Sequence, residues 1–590
     1  MHLARVHIEN FRAVRKLTLD LDPVTVVIAE NNHGKTSLVD VLGLCLGSPG
    51  NHPGTPLLPS DFHRPPGGKE GRILVRLSFE HSDHQPRESL AADLFDQAMV
   101  RDRDGVRRLH ISFTAHPGAS ELTPLFVNEK GRPLRPQPDD TTLLWVRRLH
   151  PVLVIRFADP HPAQGENGAM APEAAFREDA DAFILESAIA RVYHRLSEVR
   201  GPVPPGEFTA SFHAARELAD RMESRSPGSG ALLHGLVNQL AHQVQPGGPR
   251  AGGGSHTLAL LLVLGAVLDV RGDSSLPADA QPILALEEPE AHLHPMLLAS
   301  TWDIIEGIRA QKVVTTNSGA FLSEVPLHFL RRLIRQDGHI STYRLRAKTL
   351  TADRLRRVRY HIRAKQGGAL FARCWILVEG ETEFWVMRGM ARILGYDLEA
   401  EGVHCVEFAQ CGVEPLAALA NDLGIQWHLL ADGDDSGKGY VEEARSRIPR
   451  GSEADRHITQ LHHRDMERLF WHSGYADVYR KAAGLPSGKK RKRNESDRPP
   501  RWVIGKAIRK RSKPYLALSV VEECERRGAE GVPKVLRRVI HASVALARAA
   551  VDDDTVELIE DAEAGVTATA RNGGTEATSP APSRAEEERE

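Results

Sequence analysis

Apolar and polar residues alternate along two short stretches near the start of the chain, residues 3 to 9 and the stretch that ends at Leu21. A period of two is typical of β-strands with one buried face, and residues 10 to 12 interrupt it, so the pattern predicts a β-hairpin. The mostly apolar residues 24 to 28 predict a buried strand. The apolar run from Leu38 to Leu46 predicts a helix.

The segment between that strand and that helix has the composition of a phosphate-binding loop. It reads Ala-Glu-Asn-Asn-His-Gly-Lys-Thr-Ser from residue 29 to residue 37. In such loops backbone N–H groups surround the phosphates, the lysine reaches the β and γ oxygens, and the next hydroxyl binds Mg²⁺. The candidate ATP-binding residues are Asn31, Asn32, Gly34, Lys35, Thr36 and Ser37, with Thr36 also a metal ligand. A coincidental Gly-Lys-Thr turn is the alternative, but it does not explain the flanking strand and helix.

Two further apolar strands end in polar residues that suit ATP hydrolysis. Residues 283 to 286 lead into Glu287 and Glu288. In that position Glu287 would complete the Mg²⁺ shell and Glu288 would act as the catalytic group that polarises the attacking water. The strand that begins at Val313 ends near Asn317, whose amide could hydrogen-bond a phosphate.

A glycine-rich segment precedes another apolar helix. Residues 251 to 255 read Ala-Gly-Gly-Gly-Ser, and Leu258 to Leu268 form the apolar run that follows. The segment resembles the signature motif that completes an ATP site across a dimer of ABC-type ATPases. Glycines at a helix N-terminus can approach the partner's γ-phosphate, and the resemblance makes Ser255 a candidate ATP-binding residue. A flexible joint is the alternative interpretation.

A second pair of predicted strands ends in acidic residues. Residues 375 to 378 and residues 425 to 430 are apolar enough for buried strands, and each runs directly into carboxylates. The ends of parallel strands meet at one edge of a sheet, so these carboxylates are expected to converge. The candidate metal ligands are Glu379, Glu383 one helical turn later, Asp432 and Asp434.

Clustered carboxylates repel one another, and a divalent cation allows all of them to stay ionised. Oxygen ligands favour Mg²⁺ or Mn²⁺, and such a site can stabilise both oxygens of a phosphodiester displacement, with Glu379 as a catalytic group. Each acid taken alone could instead be a turn residue or a helix cap. Together, the sequences Leu-Val-Glu-Gly-x-x-Glu and Asp-Gly-Asp resemble the signature of toprim domains, the metal-dependent fold of topoisomerases, primases and certain nucleases.

Composition narrows the class of protein. The chain has 590 residues, 41% hydrophobic and 26% charged, which fits a soluble protein of several domains. The net charge of −2 means that a DNA-binding surface must come from local basic clusters such as Lys489 to Arg493 and Arg509 to Lys513. No apolar run spans a bilayer and no signal-peptide core begins the chain, so a cytoplasmic protein without a membrane partner is expected. The five scattered cysteines match no zinc spacing, and reduced thiols are expected.

The order of these motifs is more specific than any one of them. A phosphate loop, a long insertion, Gly-Gly-Gly-Ser, Leu-Glu-Glu-Pro-Glu-Ala-His-Leu-His-Pro and a toprim pair together resemble the overcoming-lysogenization-defect (OLD) family over about residues 1 to 540. The resemblance implies an α/β protein in which an ABC- or SMC-like ATPase with a helical insertion precedes a Rossmann-like toprim domain. It also implies an ATP-dependent endonuclease that acts on DNA, often as a homodimer, in DNA processing or phage defence.

The resemblance adds two site residues and marks three departures. Glu467 stands where the family has a further acid near the metals, although a solvated helix face is the alternative, and Lys513 resembles a late lysine that would neutralise charge on the phosphate. Ala29 replaces the first glycine of the loop. The methyl group of alanine is tolerable there if φ is negative. Asn317 replaces a histidine that senses the γ-phosphate, and since an amide cannot protonate, this bears on fast hydrolysis more than on binding. The Ala-Gly-Gly-Gly-Ser signature is the third departure.

The expected organisation has five parts: residues 1–90 and 251–365 as the two portions of the ATPase domain, 91–250 as an insertion with a helical dimerisation arm, 370–545 as the toprim domain, and 552–590 as a disordered acidic tail. A DNA-repair ATPase of the RecF or SMC class with a non-catalytic toprim domain is the alternative function. A topoisomerase would need a tyrosine nucleophile in a companion domain, and a primase would need an elongation centre. The sequence marks neither.

Overall fold

The computed structural model describes residues 1–46, 56–65, 68–80, 95–157, 280–291, 293–336, 338–365, 367–486 and 498–550. Four features expected from the sequence lie outside these residues. They are the glycine-rich segment with Ser255, most of the insertion between residues 91 and 250, the basic run Lys489 to Arg493, and the acidic tail from residue 552.

Twelve strands of the described residues form one mixed sheet. They are β1 (His2–Phe11), β2 (Val14–Asp20), β3 (Val24–Ala29), β4 (Ile73–Glu80), β5 (Met99–Arg101), β6 (Arg107–Ala115), β7 (Thr123–Val127), β8 (Val152–Arg156), β9 (Ile283–Glu287), β10 (Gln311–Thr316), β11 (Leu330–Gln336) and β12 (His339–Tyr343). Their order is β5-β6-β4-β1-β2-β12-β11-β3-β10-β9-β8, with β7 beside β6. The hairpin expected at the start of the chain is confirmed by the antiparallel pairing of β1 with β2.

The parallel part of this sheet aligns three strand ends. In β3, β10 and β9, Ile28 lies opposite Thr316, and Thr315 lies opposite Glu287. All six residues of β3 are buried, as the run of apolar and β-branched side chains predicts for a central strand. The loops after β3, β9 and β10 therefore leave the sheet at the same edge.

Helices follow the strands of the first sheet. They are α1 (Lys35–Leu46), α2 (Asp140–Leu149), α3 (Leu298–Gly307), α4 (Gly319–Glu324) and α5 (Ala352–Lys365). Helix α1 begins at Lys35, three residues before the apolar run that predicts it, because the polar end of the phosphate loop forms its first turn. It packs on β8, β9 and β10 and brings the loop against the aligned strand ends.

The second sheet consists of β13 (Cys374–Val378), β14 (Val403–Glu407), β15 (Gln426–Ala431) and β16 (Ile458–Gln460), in the order β14-β13-β15-β16 and all parallel. Its helices are α6 (Glu381–Ile393), α7 (Val413–Asp422), α8 (Asp435–Arg445), α9 (Ala454–His457), α10 (Met466–Phe470), α11 (Ala476–Ala482), α12 (Pro500–Lys510), α13 (Lys513–Arg527) and α14 (Lys534–Arg548). The alternation of strands and helices gives the α/β architecture that the sequence predicts.

The two sheets share one apolar core. Trp302 and Leu330 of the first part belong to the same buried cluster as Trp375 and Trp427 of the second. Arg332 of β11 is also buried in this joint. Its guanidinium donates to four backbone carbonyls of the second part, those of Phe371, Ala372, Leu423 and Gly424, at 2.7 to 3.4 Å.

Two further features of the described structure concern membrane-spanning helices and cysteines. Among the helices of the described ranges, none combines the length and the hydrophobicity that a membrane crossing requires. All five cysteines are buried free thiols.

The Arg332 contacts lead to a stability prediction. Arg332→Met should lower the free energy of unfolding by about 3 kcal/mol or more, because a buried acceptor that loses its donor costs about 1–3 kcal/mol. Urea unfolding followed by circular dichroism measures the change. Arg344→Met removes an exposed arginine nearby and should change stability by less than about 0.5 kcal/mol. Equal effects of the two substitutions would contradict the role given to Arg332.

Candidate active sites

The phosphate loop connects β3 to α1 through two residues in the left-handed region. Asn32 has φ 61° and Gly34 has φ 90°. A Cβ on Gly34 would lie 2.9 Å from Cγ2 of Val14, so both the backbone conformation and the space require glycine. Ala29 is the last residue of β3 and has no positive φ, so its methyl group is accommodated as expected.

Lys35 and Thr36 begin α1 with their polar groups turned to the strand ends. The ammonium of Lys35 donates to the carbonyl oxygens of Ala29 at 2.5 Å and Glu30 at 3.1 Å. Burial lowers the pKa of Lys35, while nearby carboxylates, Glu288 first, oppose that shift. Of the other expected loop residues, Asn31 and Asn32 are exposed and Ser37 is buried.

Glu287, Glu288 and Asn317 lie beside this loop. The hydroxyl of Thr36 donates to Oε1 of Glu287, and the side-chain amide of Asn317 donates to Oε1 of Glu288. Glu288 has φ 51°, a conformation that costs a non-glycine residue free energy and that often marks functional positions. The structure thus brings together the expected ATP-site residues that it describes.

Three charged residues that the sequence did not suggest support this site. Arg156, at the end of β8, contacts Oε2 of Glu287 through Nε at 2.9 Å and also pairs with Asp40 of α1. Asp40 pairs in turn with Arg12, whose Nε lies 2.7 Å from Oδ1 of Asp61. Asp61 also accepts the N–H of Leu58 and so holds a turn.

The expected metal ligands follow two adjacent parallel strands. Leu377 of β13 lies opposite Leu429 of β15, so Glu379 and Asp432 leave the sheet at the same edge. Asp434 caps α8, with its Oδ1 accepting the N–H of Gly437 at 2.8 Å. A Cβ on Gly437 would lie 1.9 Å from the carbonyl oxygen of Asp432, so glycine is needed for this close turn.

Three more side chains approach the same edge from helices. Glu383 lies in the first turn of α6, where its Oε2 accepts the N–H of Gly380 at 3.1 Å. Glu467 of α10 is 6% exposed, and its Oε1 lies 3.1 Å from the Nζ of Lys513 at the start of α13. Asp465 caps α10 by accepting the N–H of Arg468 at 2.9 Å. The sequence favoured Glu467 in this segment and missed Asp465, whose cap position in an Asp-x-Glu motif is the signal that could have identified it.

Burial and neighbouring charges raise the pKa values of Asp432 and Glu383. Burial, followed by the charges of Glu383, Glu379, Asp465 and Glu467, raises the pKa of Asp432 to about 8. Burial raises the pKa of Glu383 to about 7, with Glu467 adding to the shift.

Glu379 and Lys513 respond to the same cluster. Burial, with Asp434 next, raises the pKa of Glu379. Burial alone would lower the pKa of Lys513, but the surrounding carboxylates, Glu467 first, outweigh it and raise that pKa. The edge of the second sheet is therefore strongly anionic when its acids are ionised.

The donor set suits a divalent cation, although the side chains are not gathered into a ligand shell. Within the described ranges, no three His, Cys, Asp or Glu side chains converge closely enough to hold a metal ion as they stand. The acids offer only oxygen donors, and the raised pKa values of Asp432 and Glu383 mean that a cation would favour their ionised forms on binding. The residues that would hold it are Glu379, Glu383, Asp432, Asp434 and Glu467, with Asp465 alongside.

Two family models match the chain. One, described as "Protein of unknown function (DUF2813)", covers residues 1–369, and the other, described as "Overcoming lysogenization defect protein-like, TOPRIM domain", covers residues 370–434. The chain belongs to the DUF2813 family. The expected resemblance to the OLD family is confirmed, and the second family model ends at Asp434 and includes Glu379, Glu383 and Asp432.

Individual relatives of this DUF2813-family protein are similar over different lengths. The "Uncharacterized protein YbjD" of Escherichia coli (strain K12) is 32% identical over 572 residues, which are 94% of this chain and 100% of the relative. Among solved structures, the "SMC head domain from Thermotoga maritima" is 12% identical with a TM-score of 0.31, covering 59% of this chain and 100% of that one. The "C-terminal region of the Burkholderia pseudomallei OLD protein" is 15% identical with a TM-score of 0.25, covering 30% and 99%.

The raised pKa of Asp432 predicts a pH-dependent loss of stability in the metal-free DUF2813-family protein. Between the ordinary value of 3.8 and the folded value of about 8, the unfolded chain releases a proton that the folded chain retains. Stability therefore falls as pH rises through this window. Asp432→Asn should remove that loss and raise the free energy of unfolding at pH 8 by about 1–2 kcal/mol, a part of the full linkage because the acids share protons.

Urea unfolding in EDTA at pH 5 and pH 8 measures this difference. Asp435→Asn is the matched control, because Asp435 lies three residues away, is exposed and pairs with Lys438. It should not stabilise the protein at either pH. Stabilisation by both substitutions, or by neither, would contradict the cost assigned to the charge of Asp432.

Proposed function

We propose that this protein is an ATP-binding, divalent-metal-dependent DNA endonuclease, with phosphodiester hydrolysis at the toprim site and regulation by the ATPase part. The observation that carries the proposal is the cluster of acids around Asp432, with Lys513 beside it. Carboxylates with raised pKa values beside a lysine are an unfavourable arrangement for stability and a useful one for phosphoryl chemistry.

Each residue of the cluster has a role in this proposal. Bound Mg²⁺ or Mn²⁺ would supply charge stabilisation to the oxygens of the displacement. Glu379, whose pKa is raised, would accept a proton from the attacking water. The ammonium of Lys513 would stabilise the negative charge that develops on the phosphate.

The residues of the ATP site suit slow ATP hydrolysis with a regulatory role. Lys35 would exchange the carbonyls of the loop for phosphate oxygens, and Thr36 and Glu287, which already contact each other, would hold Mg²⁺. Glu288 would orient the attacking water. Asn317 donates to Glu288 and keeps it in place, but it cannot carry a proton to the γ-phosphate.

A basic surface next to the acids supports DNA as the substrate. The sequence from Arg498 to Val521 contains seven Lys or Arg residues and no Asp or Glu. Arg498 lies 4.1 Å from the ring centre of Trp502, and Arg511 lies 5.0 Å from that of Tyr515. Cations interleaved with aromatic rings suit contact with phosphates and bases. Since Arg511 is two residues from Lys513, a strand bound here would reach the acid cluster.

The alternative function is a repair ATPase whose toprim domain binds DNA without cutting it. One observation favours it, namely that the acids of the described ranges do not form a close ligand shell. The OLD resemblance extends our proposal to a homodimer and to a role in DNA processing or phage defence.

The ATP site yields a prediction with two variants. Lys35→Ala should weaken ATP binding at least tenfold, because it removes the main cationic phosphate contact, whereas Glu288→Gln should keep binding and slow hydrolysis. Fluorescent-nucleotide titration and phosphate release measure these effects. Lys16→Ala, on the exposed face of β2, serves as the control. Unchanged affinity in the Lys35 variant would contradict the site.

The toprim site yields an independent prediction. Asp432→Ala should abolish Mg²⁺- or Mn²⁺-dependent nicking of supercoiled plasmid and leave ATP binding unchanged, because the two sites use different residues. Asp435→Ala removes an exposed neighbouring charge and should nick at close to the parental rate. If Asp432→Ala nicked as fast as the parent after removal of contaminating nucleases, the repair-ATPase alternative would replace our proposal.

A further inference from the structure

A salt bridge connects the phosphate loop directly to the start of the toprim sheet. Glu30 follows Ala29 in the loop, and its two carboxylate oxygens accept from Nε and Nη2 of Arg373 at 2.7 and 2.9 Å. The two residues are 343 positions apart in sequence. Such a two-point pair is directional, because the planar guanidinium fixes the orientation of the carboxylate as well as its distance.

On the loop side, the backbone of Glu30 contacts the phosphate-binding lysine. Its carbonyl oxygen accepts from Lys35 at 3.1 Å, and the carbonyl of Ala29 accepts from the same ammonium. A bound triphosphate would attract Lys35 away from both carbonyls. The segment that carries the Glu30 carboxylate would therefore change its bonding when ATP binds.

On the toprim side, Arg373 joins the beginnings of three strands. It immediately precedes β13, its N–H donates to the carbonyl of Gly402 before β14, and its carbonyl accepts from Gln426 at the start of β15, both at 2.8 Å. The other ends of β13 and β15 deliver Glu379 and Asp432. A shift of Arg373 would move the strands that carry the acids, since packed strands move as units rather than deform.

We propose that the Glu30–Arg373 pair couples ATP binding to the arrangement of the toprim acids, with Arg373 as a positioning residue. The effect on DNA cutting rests on the proposed function, whereas the coupling itself rests on the contacts described above. Nucleotide binding would rearrange the toprim acids through Arg373.

A second ion pair across the same joint provides a matched control. Nε of Arg346 lies 2.6 Å from Oδ1 of Asp422, the last residue of α7. This pair also ties the two parts together, but neither partner belongs to the phosphate loop or to the start of a toprim strand. If the Glu30–Arg373 pair only stabilised the joint, loss of either pair would have the same consequences.

The first test compares plasmid nicking with and without ATP for the full-length protein. In the parent the two rates should differ fivefold or more, a typical size for coupling between sites. Glu30→Gln and Arg373→Gln should bring the ratio to within twofold of one, whereas Arg346→Gln should keep the parental ratio. The exchanged pair Glu30→Arg with Arg373→Glu should restore part of the ATP dependence. A parental ratio of one, or equal losses in the Arg373 and Arg346 variants, would overturn the coupling.

The second test does not depend on cutting. Hydrogen exchange of the peptides covering residues 374–379 and 426–431 should change when ATP is added to the parent and to Arg346→Gln, but not to Arg373→Gln. Retained ATP affinity in Arg373→Gln would show that the phosphate loop of this variant still binds ATP. If no variant or parent cuts plasmid while this exchange pattern holds, the nuclease proposal fails and the coupling stands. Exchange that is unaffected by ATP in the parent would overturn the coupling, whatever the nicking result.

Discussion

The buried joint between the two sheets is the constraint on which the arrangement of both sites depends. Arg332 can be buried only because four carbonyls from two segments of the second part accept hydrogen bonds from its guanidinium. Those carbonyls lie before β13 and before β15, so the arginine that completes the joint also fixes where these strands begin. The apolar core around Trp375 and Trp427 supplies the burial, and Arg332 makes the packing directional.

A joint of this kind allows the opposite end of the second sheet to be unfavourable. Asp432 and Glu383 are buried, and close to other acids, at a cost in electrostatic energy that raises their pKa values to about 8 and about 7. Stable proteins commonly tolerate such local costs at functional sites. The exposed surface from Arg498 to Lys513 reduces the cost only in part, because Lys513 is the cation of that segment that pairs with an acid of the cluster in the described structure.

The sequence predicted features that depend on neighbours along the chain and missed those that depend on distant residues. The strand, loop and helix around Lys35, and the strand ends at Glu379 and Asp432, follow from local apolar runs and short motifs. Asp40, Arg156 and Arg12 act through pairs that exist only once the sheet has formed. Asp465 gives a weaker signal, since a capping acid and a site acid have the same sequence pattern.

The direction in which the sheets stack explains how two anionic sites coexist in one molecule. Glu30 lies after the end of β3 and Arg373 lies before the start of β13, so the nucleotide edge of the first sheet faces the starting edge of the second. The toprim acids lie at the other ends of β13 and β15, and a strand of five residues, such as β13, spans about 17 Å. That exceeds the Debye length of about 8 Å at physiological ionic strength, so triphosphate and acid cluster repel each other little through solvent. A coupling between them would therefore run through bonded contacts across the joint, such as the Glu30–Arg373 pair, rather than through the field.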